Sequence, residues 1–200
     1  MNVEQIIQES LKDFKQSQAK SRRDHIRKLI DYYCGSNTSQ YIFKYFDADA
    51  FREIPVYEAN FTKRFINKMS RIYTVGAAYN MNNQYDSLTR MKAARMKHIE
   101  RMTRLIGSVA TQVVYIDGDN PHFDYRPVYY FDVHLGENPF VPEAITYPIL
   151  MNSDDVSYTQ DLKYAYFDNS IYALYDENGN IIEEYEHGYG ILPFMFTHRE

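Results

Sequence analysis

Eight basic side chains, spaced along two predicted helices, are the residues of this chain best suited to bind an anionic partner. Their helical spacing gathers them on outer faces, where they can follow a phosphate backbone or meet carboxylates. Every amphipathic helix has a charged outer face, however, and no aromatic residues alternate with these cations to stack bases. The pattern favours a solvated face over a nucleic-acid track and leaves both open. The two sets are Lys63, Arg64, Lys68 and Arg71, and Arg90, Lys97, Arg101 and Arg104.

Arg95 is a ninth candidate, and it differs because it falls within the apolar stripe of the second helix. A guanidinium in that position needs a carboxylate or several carbonyl oxygens to compensate for lost hydration. We expect its partner to come from the acidic second half of the chain, in the same copy or in a neighbouring one.

Catalytic and metal-binding patterns have little support in this sequence. Asp117-Gly118-Asp119-Asn120, with Asp124 beyond, lacks the glycine and the glutamate that a calcium loop needs, so an acidic turn is favoured. The six histidines are scattered, and His98 is expected to pack at the edge of an apolar stripe. Cys34, the single cysteine, is expected to be a buried and inert thiol. No phosphate-binding or nucleophile motif occurs. We expect no catalytic residue, cofactor or metal, and no enzymatic activity.

Composition indicates a folded protein with an uneven charge distribution. Hydrophobic residues make up 44% of 200 residues, and no segment reaches the length of a membrane span or has the pattern of a signal peptide, so we expect a soluble cytoplasmic product. Residues 1–106 hold 19 Lys and Arg against 11 Asp and Glu, a net of +8. Residues 107–200 hold 3 against 16, a net of −13. Such a split suits nucleic-acid binding, head-to-tail contact between copies, or two solvated halves.

The first half reads as helical. Apolar residues recur every three or four positions over residues 3–21 and 22–34, and Gly35 follows where a left-handed helix cap is favoured. Asn60 is a predicted N-cap for a two-sided helix. Its apolar face, expected to be buried, is Phe61, Phe65, Ile66, Met69, Ile72 and Tyr73. A longer helix is predicted over residues 86–106.

The second half reads as strands. Period-two alternation predicts strands at residues 108–116, 125–135 and 144–151, followed by 162–167 and 171–176. Asn178-Gly179 favours a hairpin into residues 180–185. Consecutive hairpins form an antiparallel sheet. The predicted class is therefore α+β, with a helical, basic part at 1–106 and an antiparallel β, acidic part at 107–200, together forming one structural unit.

Three segments resemble the front part of portal proteins of tailed bacteriophages. They are Asp31-Tyr32-Tyr33-Cys34-Gly35, the NFTKRFINKMSRIY helix that starts at Asn60, and Gly188-Tyr189-Gly190-Ile191-Leu192-Pro193-Phe194. Their order and spacing fit that family from about Ile26 onward, and none of them is a catalytic signature.

The resemblance implies a structural role in the wing region of a portal ring. Portal subunits form a ring, usually dodecameric, at one capsid vertex, through which double-stranded DNA passes during packaging and ejection. The ring contacts the terminase, the capsid and the tail connector, and the terminase hydrolyses the ATP. The resemblance also implies that the protein is part of the virion, is assembled in the host cytoplasm and does not associate with a membrane. Portals continue beyond the GILPF turn, so the resemblance implies a piece of a longer subunit.

Two functions of other classes remain open. A free-standing nucleic-acid-binding protein would use the basic helix faces, and its affinity would fall steeply with salt. An enzyme with a diffuse site in the acidic half would show a deep pocket with carboxylates of perturbed pKa.

Overall fold

The computed structural model of the chain describes residues 3–42, 60–70, 88, 92–149 and 163–199. Within these ranges helices precede strands, which confirms the predicted α+β class. The helices are α1 (Val3–Lys15), α2 (Ser17–Cys34), α3 (Thr38–Ile42), α4 (Phe61–Met69) and α5 (Lys92–Ile106). The strands are β1 (Ser108–Ile116), β2 (His122–Val128), β3 (Asp132–Leu135), β4 (Pro142–Ile149), β5 (Lys163–Phe167), β6 (Ile171–Tyr175), β7 (Ile181–Glu186) and β8 (Phe194–His198).

The first two helices meet at Gln16, five residues before the predicted boundary. Gln16 has an extended backbone (φ −65°, ψ 148°), which interrupts the helical hydrogen-bond pattern. The second boundary is as predicted, because Gly35 adopts φ +75° and its N–H donates to the Asp31 carbonyl across 2.8 Å. This left-handed conformation suits glycine, which has no Cβ to clash. Cys34, just before it, is exposed, so the predicted burial of this thiol is wrong.

The eight strands form two antiparallel sheets. One has the order β2-β1-β8 and the other has the order β3-β4-β5-β6-β7. Strand β1 occupies the centre of the smaller sheet, with Val113 opposite Tyr125 on one side and Ala110 opposite Phe196 on the other. In the larger sheet each strand is the antiparallel neighbour of the next one in the chain, and the hairpin from β6 to β7 turns at Asn178-Gly179, as predicted.

Alternation along the strands places one face of each sheet against helices and the other against the second sheet. In β5, Tyr164 and Tyr166 pack with the α1 residues Ile6, Ile7, Leu11 and Phe14. Ala165 and Phe167, between and beyond them, face the smaller sheet, where the rings of Phe167 and Phe194 lie 5.3 Å apart. Helix α5 covers the outer face of the smaller sheet through Met96, Ile99 and Met102. The result is two stacked sheets between helical layers.

One strand prediction is wrong, and one strand was missed. Residues 125–135 do not form one strand, because β2 ends at Val128 and the chain crosses to the other sheet before β3 begins at Asp132. Strand β8 was not predicted, and it occupies the end of the Gly188–Phe194 segment and the residues beyond. The predicted ends of the 144–151 and 162–167 strands fall partly outside the described residues, as do the first residues of the 86–106 helix.

Candidate interaction surface

Asn60 fixes the position of α4 with both ends of its side-chain amide. Its Oδ1 accepts the Lys63 N–H across 2.8 Å, so the predicted N-cap is confirmed. Its Nδ2 donates to the Tyr33 carbonyl across 2.9 Å, at the end of α2. Tyr33 also donates its hydroxyl to Asn67 Oδ1 across 3.3 Å. The end of α2 and the start of α4 therefore form one hydrogen-bonded unit.

Only a narrow side of α4 packs against the rest of the protein. Ile66 is 6% exposed and packs with Met96, Ile99 and Met102 of α5. The predicted burial of the rest of the apolar face is wrong for the residues that the structure describes, because Phe61 is 72% exposed, Phe65 is 64% exposed and Met69 is 42% exposed. Ile72 and Tyr73 lie outside the described residues.

Helical geometry explains which side chains share the outward side. At about 100° per residue, Phe61, Arg64, Phe65 and Lys68 lie within one third of the helix circumference. All four are exposed, and we refer to them as the basic apolar face. Lys63 is also exposed, nearer to the opposite side. The predicted division into a buried apolar half and a wet basic half does not hold for this helix, since phenylalanines and cations point outward together.

The remaining candidate cations are less concentrated. Arg71 and Arg90 lie outside the described residues. On α5, Lys97, Arg101 and Arg104 are half-buried, and the Arg104 carbonyl accepts a hydrogen bond from Arg199 Nη1 across 3.4 Å.

Arg95 has its partner in the acidic half, as expected. Its Nη2 lies 3.7 Å from Asp124 Oδ1, and Arg126 Nε lies 3.0 Å from the other carboxylate oxygen. The hydrogen bond from Arg126, together with the charges of both arginines, lowers the pKa of Asp124. Arg95 lies on the same side of α5 as the buried Ile99 and Met102, but its side chain is 47% exposed, so this end of the stripe is open to solvent.

His98 packs against the sheet, as predicted. Its Nε2 lies 2.8 Å from the Tyr129 hydroxyl. Burial, with the charges of Arg95 and Arg101, lowers the pKa of His98. Burial raises the pKa of Tyr129 to about 12, so the phenol keeps its proton at neutral pH. Because the phenol can donate, the neutral imidazole can accept at Nε2.

Strand β7 carries the second exposed surface, which the sequence analysis did not single out. All six of its residues are exposed, and among the described strands it pairs only with β6. Three of the six are glutamates and two large apolar residues are about half exposed. We call Ile182, Glu183, Glu184, Tyr185 and Glu186 the acidic edge. Its sequence, IIEEYE, places apolar and acidic residues on both faces, so the sequence does not indicate which face, if either, is buried.

A cavity of about 230 Å³ lies beside α1 and the β5–β6 turn, and Glu143, His134 and Asp168 line it. Burial raises the pKa of Asp168, but hydrogen bonds from the Ile171 and Ser170 N–H groups and from the Tyr166 hydroxyl outweigh this effect and lower it. These hydrogen bonds, 2.7 to 3.0 Å long, show that the Asp168 carboxylate stabilises the β5–β6 turn.

Next to this cavity, His134 belongs to a buried polar cluster. Its Nε2 lies 3.0 Å from Ser10 Oγ and 3.2 Å from Thr146 Oγ1. Ser10 and Thr146 are almost completely buried, so the serine hydroxyl is not accessible to a substrate. The cluster therefore joins α1 to the larger sheet.

Two carboxylates at the acidic turn after β1 have separate partners. Asp117 accepts the N–H of Gly118, and Asp124 is engaged by the two arginines. Among the described residues, no group of three or more His, Cys, Asp or Glu side chains is arranged to hold a metal ion. No described helix is both long and apolar enough to cross a lipid bilayer.

No protein family model matches this chain, and no curated protein matches it significantly.

Proposed function

We propose that this chain forms the wing portion of a phage portal subunit, one copy of several in a ring at a capsid vertex. The supporting observation is that two of the three segments resembling portal proteins form a single unit, joined by Asn60 and Tyr33. That unit presents the basic apolar face outward. A chain that works in a large assembly is expected to leave such a face open until its neighbours cover it.

The exposed phenylalanines support assembly on energetic grounds. Covering a fully exposed Phe side chain contributes about 1.5–3 kcal/mol, and Phe61 and Phe65, 72% and 64% exposed, would each contribute a part of that when covered. Aromatic residues and arginine are also the types enriched at protein interfaces. In this proposal the role of the chain is mechanical. It holds its place in the ring through which double-stranded DNA enters and leaves, next to terminase, capsid and tail connector proteins.

Nucleic-acid binding by the isolated chain is the second candidate, favoured by the exposed Lys63, Arg64 and Lys68. Three cations on a short helix neutralise few phosphates, so the portal proposal predicts weak DNA binding at physiological salt. Tight binding whose affinity falls steeply between 50 and 200 mM salt would favour this candidate instead.

The portal proposal is tested on phage particles that carry this gene. Antibodies raised against the chain should label a single vertex of each particle by immunogold electron microscopy. The gene should also lie beside genes for a terminase and a capsid protein. Particles without label, or label spread over the whole capsid, would overturn the proposal.

A further inference from the structure

Two surfaces of opposite charge remain uncovered within the described part of the chain. The basic apolar face carries Arg64 and Lys68 beside two exposed phenylalanines. The acidic edge carries three glutamates beside Ile182 and Tyr185, which are 51% and 48% exposed. Helix α4 contacts α2 and α5, whereas β7 contacts β6 at the far edge of the larger sheet. Within the described residues, one copy of the chain does not bring the two surfaces together.

Charge decides which surfaces can meet when copies associate. Two acidic edges paired as neighbouring strands would set three glutamates against three, and two basic apolar faces would set cations against cations. Like charges directly opposite one another destabilise a contact. The unlike pair is attractive, and its apolar side chains can pack together as the charges approach. Symmetric pairing of like surfaces is therefore disfavoured, and head-to-tail contact is favoured.

We propose that the basic apolar face of one copy docks on the acidic edge of the next copy. Helix α4 lies along the edge of β7 that faces away from β6, with Phe61 and Phe65 against Ile182 and Tyr185. Because successive residues of a strand point to opposite faces, Arg64 and Lys68 meet glutamates on the two sides of that edge. The inference takes self-association from the proposed function and names the surfaces that produce it. A contact of this type uses a different surface on each partner, so each copy keeps one of each surface free for further neighbours. Repetition closes a ring where the rotation fits, and otherwise forms a filament.

Charge reversal provides the test. The variant R64E/K68E has two acidic surfaces, and the variant E183K/E184K has two basic ones. Each alone should associate at least about tenfold more weakly than the natural chain, since like charges now face each other. Mixed in equal amounts, the two variants should associate again as alternating copies, because each surface then meets its opposite. Sedimentation velocity across a concentration series measures all three cases.

A matched control separates the two surfaces from overall charge. K12E/K20E changes the net charge by as much as R64E/K68E, at exposed lysines of α1 and α2, and should associate like the natural chain. Equal weakening by this control, or no recovery on mixing, would overturn the proposal. Far-ultraviolet circular dichroism verifies that every variant is folded.

Disulfide trapping locates the contact directly. In a C34S background, the double variant F65C/I182C should give a ladder of oxidised oligomers, whereas each single cysteine variant should remain monomeric. A dimer from F65C alone would indicate symmetric pairing, and a bond within one chain would indicate an internal contact. Either outcome overturns the inference. If the ladder forms but the protein is absent from the phage vertex, the docking contact stands and the portal role is rejected. If the vertex is labelled but no ladder forms, the portal role stands and the docking contact is rejected.

Discussion

The amide nitrogen of Asn60 lies 2.9 Å from the carbonyl oxygen of Tyr33, while the amide oxygen of the same residue caps α4. One side chain thus satisfies a carbonyl at the end of one helix and an N–H at the start of another. Helix ends leave such groups without intrahelical partners. The orientation of α4, and with it the direction in which Phe61 and Phe65 point, depends on this residue.

Asn60→Ala should reduce the free energy of unfolding by about 1–2 kcal/mol, because the N-cap and the bond to Tyr33 are both lost. Asn60→Ser keeps a capping oxygen but is too short to reach the Tyr33 carbonyl, so about half of that loss is expected. Urea unfolding followed by circular dichroism measures both. An Asn60→Ala protein as stable as the natural one would show that the two helices are held by other contacts.

Stability should fall as the pH decreases below about 6.5, because the pKa values of His98 and His134 are lowered by burial. In the unfolded chain these histidines have an ordinary pKa, so as the pH falls they bind protons more readily than they do in the folded chain. The contribution of these histidines to stability is therefore complete above the unfolded pKa, and it is lost as the pH falls from there through the lower pKa of the folded state. The urea midpoint at pH 7.5 should exceed that at pH 5.5.

His98→Gln should flatten this pH dependence, since it removes one of the two groups. His25→Gln, at an exposed position on α2, is the control and should leave the pH dependence as it is in the natural chain. If both substitutions gave the same profile, titration of His98 would not be its source.

Ser10→Ala removes a single oxygen atom but should lower the free energy of unfolding by about 1–3 kcal/mol, because His134 and Thr146 lose a buried hydrogen-bond partner. Ser21→Ala, at an exposed position on α2, should change stability by less than about 0.5 kcal/mol. A double-mutant cycle with Thr146→Val should be non-additive, since the two hydroxyls are 3.2 Å apart. Additive losses would mean that the hydroxyls act independently.

Arg95→Ala should reduce stability by less than about 1 kcal/mol, because the ion pair with Asp124 is long and partly solvated. Asp124→Asn should reduce the free energy of unfolding by more than Arg95→Ala does, since it also loses the charge interaction with Arg126. Chemical denaturation of the two variants gives the comparison. A larger loss for Arg95→Ala than for Asp124→Asn would show that the guanidinium supports the fold in another way.

Local patterns predicted the parts of the fold that local chemistry determines. Strand β1 was predicted with its observed bounds, and Gly35 and Asn60 were recognised because capping needs only nearby backbone groups. Strand β8 was missed because its partner, β1, lies more than 80 residues earlier in the chain. The alternation of residues 125–135 continues through the crossing between sheets, so periodicity could not show where one strand ends.

The candidate surface was only half predictable for a similar reason. Periodicity gives the angular positions of Phe61, Arg64, Phe65 and Lys68 on a helix, but it does not say which side meets the protein. That choice is made by Ile66 and by the Asn60–Tyr33 hydrogen bond, which join α4 to distant segments. The exposed thiol of Cys34 was missed because burial depends on how neighbouring helices pack.

The central place of β1 in the smaller sheet also has a consequence for biosynthesis. Val113 donates its N–H to the Pro193 carbonyl across 2.9 Å, and β8 then pairs along the same side of β1. A nascent chain that has only reached the middle of the sequence exposes this side of β1, with its hydrogen-bonding groups open, until the ribosome releases residues 193–198. The emergence of residues 193–198 therefore sets the earliest moment at which the smaller sheet can close.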